Sequence, residues 1–287
     1  MSTRFLPAAV ALIIPQLSFA HAGTRGHVML LPTQLYIVGG AAVVALTFAA
    51  MIFMVRRPLS GKYLNLQNSE SEVKPNYWLS LLSLLTLLIL VWIGFTGNRD
   101  PKLNLLPLTV WVIWWIGFTM LTALFGNIWW KISPWHSIQK LISLFFGTRN
   151  FEKRPSRKSN RWNYWPAAII FFGFAWFELI HPSPMDPTLL AKMVLLYFLV
   201  TIFGIIFFGG KYWLQTGEAF SVFFRMVSWL SPFYLKSSVS NNSLRRIAVR
   251  CPCAGLLRSE TLPSGGVAFV ILVLSTVSFD GFSKTFW

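Results

Sequence analysis

Long runs of apolar residues, separated by short polar segments, dominate this chain. Six of these runs are long enough to cross a bilayer, which takes about 20 helical residues. They cover residues 35–55, 78–95, 105–125, 164–180, 189–208 and 266–279. No water reaches the backbone inside a bilayer, and a helix satisfies its own backbone hydrogen bonds. The pattern therefore predicts an all-α, polytopic membrane protein with six transmembrane helices.

The first twenty residues have the pattern of a secretory signal peptide. Arg4 precedes an apolar stretch over residues 5–19, and Ser18-Phe19-Ala20 is a small-x-small cleavage site. Cleavage after Ala20 leaves residues 21–287 as a single transmembrane domain that begins with His21. The alternative is a short uncleaved anchor.

Two further segments alternate apolar and polar residues with helical spacing. Residues 133–146 set aromatic and aliphatic side chains beside His136 and Lys140, and residues 214–229 do the same beside Glu218 and Arg225. Helices of this kind lie in the plane of the membrane surface, with the apolar face in the lipid. We therefore expect two amphipathic helices in the inner interface.

Composition and charge support a membrane location. Hydrophobic residues make up 55% of the chain and charged residues only 12%, about half the charged share of soluble domains. A soluble enzyme and a disordered protein are therefore excluded. Of the 25 Lys and Arg, 19 fall after the first, third and fifth spans and four on the other side.

The positive-inside rule places the larger basic group in the cytoplasm. We therefore expect a multi-pass protein of the bacterial inner membrane, with both mature ends on the outer, periplasmic side. Topology explains the net charge of +16, so the expected partner is the lipid bilayer and not nucleic acid.

The sequence lacks the motifs that are typical of phosphate-binding enzymes, zinc proteases and serine hydrolases. There is no glycine-rich phosphate loop, no H-E-x-x-H and no G-x-S-x-G. Cys251 and Cys253, in the sequence Cys251-Pro252-Cys253, fall on the cytoplasmic side and are expected to be reduced. Two thiols alone do not complete a tetrahedral metal site.

Three of the four histidines and four of the nine acidic residues fall on the outer side. His21, His27 and His181 all fall there, and Glu178 lies three residues before His181 on the same helix face. One interpretation is an ion pair between Glu178 and Lys192 that braces a helical hairpin. The other is a metal site with His21, His27, His181 and Glu178 as ligands, which suits copper or another divalent metal.

Four segments resemble a known family of bacterial membrane proteins, the fenitrothion hydrolases. They are HAG at 21–23 with LPTQLYIVGG at 31–40, FAWFELI at 174–180, GEAF at 217–220 running to LSP at 230–232, and SFDGFS at 278–283 running to Trp287. The polar positions inside these segments are His21, Glu178, Glu218 and Asp280. Family members continue with further spans, so the chain resembles a short form.

Two functions from different classes follow. The resemblance implies hydrolysis of an organophosphate triester, with a metal activating water at the outer face. The alternative is a non-enzymatic subunit that handles copper or supports partner subunits of a membrane complex. A transporter ranks below both, because charged or broken helices are expected at mid-bilayer and only Glu178 and Lys192, each near a span end, come close.

Overall fold

The computed structural model describes residues 75–146, 162–237, 245–256 and 261–283, with seven more positions between 38 and 49. Those seven are all helical, which agrees with the first expected span as far as they go. The signal peptide, His21 and His27 lie outside the described residues.

Most of the described chain is helical. The longer helices are α1 (Tyr77–Thr96), α2 (Leu105–Phe125), α3 (Trp135–Phe146), α4 (Trp165–Leu179), α5 (Pro187–Phe208), α6 (Ala219–Val227) and α7 (Ser264–Ser283). Short helical turns cover Trp129–Ile132, Gly210–Tyr212, Trp213–Gly217, Ser228–Leu230 and Ala254–Leu256.

Four of the described helices are long and apolar enough to cross a membrane, namely α1, α2, α5 and α7. They coincide with four of the six expected spans, so the prediction of a membrane protein is confirmed. Helix α4 is apolar but has only 15 residues. Within α2, residues Leu108–Phe118 form π-helical turns.

Side chains at the loops define where the spans begin. The Asn76 carboxamide oxygen accepts from the backbone N–H groups of Trp78 and Leu79, and Asn104 accepts from Leu106 in the same way. Asp186 caps α5, which has proline at its first position. Such caps satisfy N–H groups that the first helical turn leaves unpaired.

The two ends of the bundle differ in charge. The end where α1 begins and where α2 and α5 finish carries the exposed Lys131, Lys140 and Lys211. We call it the basic end; it corresponds to the side expected in the cytoplasm. A small buried apolar cluster lies at the opposite end; it consists of Leu106, Trp111, Phe177, Leu190 and Ala191.

A two-stranded sheet corrects the expectation of an all-α fold. Strand β1 (Phe233–Ser237) pairs antiparallel with β2 (Arg245–Val249), with Phe233 opposite Val249. The Ser231 hydroxyl just before β1 donates to the carbonyl of Leu124, one residue from the end of α2. The strands therefore lie beyond the spans, where the bilayer's requirement for helices does not apply.

Candidate functional site

The chain reverses direction after α5. Gly209 ends the helix with a φ of +86°, in the left-handed region that favours glycine. The Trp213 indole then packs against α5 so closely that a Cβ on Gly204 would lie 2.0 Å from Trp213 Cε2. The segment after Gly209 therefore runs back along α5, toward the middle of the bundle.

This returning segment reaches the middle of the bundle at Glu218. The Tyr197 hydroxyl donates to the Glu218 carboxylate, and Tyr197 is the eleventh of the 22 residues of α5. At 1.5 Å per helical residue, Tyr197 lies about 15 Å from either end of α5. The Phe220 ring centroid lies 5.3 Å from that of Tyr197 and 4.4 Å from that of Trp114. Trp114 is also midway along its helix.

Helix α6 then leads back to the basic end. Phe224, one turn after Phe220, packs on Phe118 at 5.1 Å. Ser231 follows, hydrogen-bonded to Leu124 near the end of α2. Residues 209–231 thus enter the bundle and leave it at the same end, and we call them the re-entrant hairpin.

The re-entrant hairpin differs from the expected interfacial helix over residues 214–229. Residues 219–224 are all buried, because the apolar face of the helix packs against the aromatic rings of α2 and its polar face carries the buried Glu218 and Ser221. Helix α3 fits its expectation better, since Trp135 and Ile138 are buried while Lys140 and Leu144 are exposed.

Neutral donors surround the Glu218 carboxylate. It caps α6 by accepting from the backbone N–H groups of Phe220 at 3.0 Å and Ser221 at 2.6 Å. The Tyr197 and Ser221 hydroxyls add side-chain donors, and the Trp129 indole donates to the Ser221 hydroxyl at 3.3 Å. The Glu218 residue is fully buried, and none of its partners described here is a cation.

This surrounding suits a carboxyl that gains and loses a proton. As a carboxylate, Glu218 accepts about as many hydrogen bonds as its two oxygens allow, but its buried charge is met only by dipoles. Once protonated, Glu218 carries no charge and its own O–H must donate a hydrogen bond, so one of the groups that now donate to the carboxylate needs another acceptor. Ionisable residues at such depth are costly and usually serve function.

A second buried titratable residue, His136, lies in α3 and outside the candidate spans. Its ring packs edge-on against Trp130 at 4.7 Å. Burial lowers the pKa of His136 to about 4, and a hydrogen bond to the Trp130 backbone opposes this only in part. His136 is therefore neutral at physiological pH.

The expected outer metal site is only partly described. His181 is half-buried, its ring lies 5.3 Å from that of Phe177, and its Nδ1 accepts from the Ser183 N–H at 3.1 Å. That bond places the proton of a neutral ring on Nε2, so ligation by His181 requires the bond to break. Glu178 is half-buried and Lys192 exposed.

No group of three or more His, Cys, Asp or Glu residues comes together among the residues described here. Because His21 and His27 lie outside them, the site formed by His21, His27, His181 and Glu178 stays a prediction.

No family model, curated protein or solved structure matches this chain. The resemblance to fenitrothion hydrolases therefore stays a prediction too. Two of its segments do meet in the fold, since Phe174 and Phe220 have ring centroids 5.0 Å apart.

Sequence reasoning noticed Glu218 but placed it at the membrane surface, and it missed Tyr197. A signal for the site was present in the sequence. Gly209-Gly210 breaks the chain straight after a span, and Glu218 then precedes AFSVFF, a stretch without any charged residue. A break followed by a capping residue and an uncharged stretch predicts a separate short helix after the span, either at the membrane surface or inside the bundle.

Proposed function

We propose that this chain is an integral membrane protein that moves protons across the bilayer by binding and releasing them at Glu218. One observation carries the proposal: a fully buried carboxyl lies at mid-depth, on a broken helix, and its hydrogen-bond donors in the described part of the chain are all neutral. Transporters commonly place coupling sites near the bilayer midplane on interrupted helices.

Protonation would act on the packing between α5 and the re-entrant hairpin. Tyr197 on α5 donates to Glu218 on the hairpin. Once Glu218 is protonated, its own O–H needs an acceptor, so either the Tyr197 hydroxyl turns to accept from it or another of the present donors moves to a new acceptor. The contact between the two elements therefore differs between the states, which a proton-driven conformational change requires.

Proton flux into liposomes tests this proposal. Purified protein is reconstituted in vesicles that contain a pH-sensitive dye, and a potassium gradient with valinomycin supplies the driving potential. We expect flux for the native chain and for Asp100→Asn, an exposed acid in a loop, and its loss in Glu218→Gln. Equal flux in Glu218→Gln and the native chain would refute proton transport through Glu218.

Organophosphate hydrolysis is the second candidate. It is supported by the resemblance and by the contact of two of its segments next to Glu218, where Phe174 packs on Phe220. In this case Glu218 would serve as a general base toward water. Product release from an aryl phosphate triester, measured for the native chain and Glu218→Gln, checks it.

The non-enzymatic subunit that handles copper rests on His21 and His181. Metal analysis of the purified mature protein tests it. Stoichiometric copper that is lost in His181→Ala would support this function, whereas a native protein without bound metal would exclude it.

The location in the bacterial inner membrane is part of the same proposal. We expect both mature ends on the outer side and the basic end in the cytoplasm. Single cysteines at Ser159 and at Lys284 should react from opposite sides of the membrane. Reaction of both from outside would contradict this topology.

A further inference from the structure

Unpaired polar atoms mark one half of the bundle interior. In the described part of the chain, six side-chain atoms lack a hydrogen-bond partner although their residues are at least nine-tenths buried. They are Thr122 Oγ1, Ser133 Oγ, Trp135 Nε1, His136 Nε2, Thr201 Oγ1 and Trp213 Nε1.

Three of these atoms belong to residues that lie beside Tyr197 or further along α5 toward the basic end. Thr201 is one helical turn from Tyr197, in the direction of the basic end. Trp213 packs on Gly204, one turn further along the same helix. The Trp135 ring lies 5.9 Å from that of Tyr197.

The other three lie closer to the basic end. Ser133 is tied through its carbonyl to Ser80, in the first turn of α1. His136 packs against Trp130, and Thr122 lies in the last turn of α2. The unpaired groups thus extend from mid-depth to the basic end.

Buried polar groups in the opposite half are paired. The buried Asn104 donates to the carbonyls of Ile93 and Asn98, and the Trp111 indole donates to the carbonyl of Pro184.

Buried polar groups without a protein partner usually bind ordered water. We infer that water enters from the basic end along these unpaired groups, as far as the neighbourhood of Tyr197, and that the opposite end is closed. Thr201 and Trp213 hold this water next to Tyr197. The inference rests on the proposed function only for the role of Glu218, which would then exchange its proton with one side of the membrane.

Cysteine labelling tests the path directly. In a background with Cys251→Ser and Cys253→Ser, Thr201→Cys is treated with a charged, water-soluble methanethiosulfonate from either side of the membrane. Ala191→Cys is the matched control, because Ala191 lies on the same helix and is equally buried. Lys211→Cys, exposed at the basic end, reports which side that end faces.

We expect Thr201→Cys to react from the same side as Lys211→Cys, and at least about tenfold faster than Ala191→Cys, because the reactive thiolate forms in contact with water. Ser133→Cys provides a second position if Thr201→Cys fails to fold. Equal rates at Thr201 and Ala191, or faster reaction of Thr201→Cys from the opposite side, would overturn the inference.

The labelling and flux results separate the two proposals. If Thr201→Cys reacts as expected while proton flux is indifferent to Glu218→Gln, the water path stands and the proposed function fails. If flux depends on Glu218 and Thr201→Cys stays unreactive from the basic end, the function stands and the path is wrong.

Discussion

The contact between α5 and the re-entrant hairpin depends on Gly204. A methyl group in Gly204→Ala would lie 2.0–2.4 Å from three atoms of the Trp213 ring. Carbon atoms normally approach to about 3.5–4.0 Å, so the ring must move by roughly 1.5 Å. Overpacking of this kind costs about 1–3 kcal/mol, while alanine in place of glycine gains about 1 kcal/mol in a helix.

Gly173→Ala supplies the matched comparison. Gly173 also lies within a helix, but no atom stands within 4 Å of the position that its new methyl group would take. Subtracting the two variants removes the helix-propensity gain, so we expect Gly204→Ala to be less stable than Gly173→Ala by about 1–3 kcal/mol. Unfolding in mixed micelles at increasing denaturing detergent measures this difference. Equal stability of the two variants would refute the close packing of the hairpin on α5.

Three further predictions follow from the described side chains. The pKa of His136 is lowered to about 4, so the neutral ring's contribution to the free energy of unfolding is fully present above about pH 6.5. This contribution, up to about 3 kcal/mol, is lost as the pH falls toward 4. The loss should be absent in His136→Gln when unfolding is followed across this pH range. Ser80→Ala removes a hydroxyl that donates to the Ser133 carbonyl and accepts from the Ser137 N–H, so it should cost about 1–3 kcal/mol in the same assay, with exposed Thr86→Ala near neutral. If the outer metal site exists, His181→Ala should abolish bound metal in elemental analysis, and unchanged metal content would exclude His181 as a ligand.

The spans could be predicted because their signal is local. The residues of α1 and α5 are predominantly apolar over the length that a bilayer requires, with Lys192 near the start of α5, and Asn76 and Asp186 provide recognisable caps. Apolar content within one segment decides whether it crosses the membrane, so no knowledge of its neighbours is needed.

The re-entrant hairpin could not be predicted in the same way. Residues 219–230 are too short to span, and a short apolar helix satisfies either a membrane surface or a protein interior. The choice is made by distant contacts, such as Phe220 on Trp114 and the Tyr197 hydroxyl on Glu218. The β1–β2 hairpin was missed for a related reason, since its pairing joins segments separated by a polar stretch.

Infrared spectroscopy of Glu218 in lipid bilayers tests the central claim most directly. Lowering the pH should produce the carbonyl stretch of a protonated carboxyl in the native protein, with its frequency shifted in Tyr197→Phe because one hydrogen bond is lost. The same band should be missing from Glu218→Gln. Identical pH-difference spectra for the native protein and Glu218→Gln would show that Glu218 does not take up a proton, and would contradict the account.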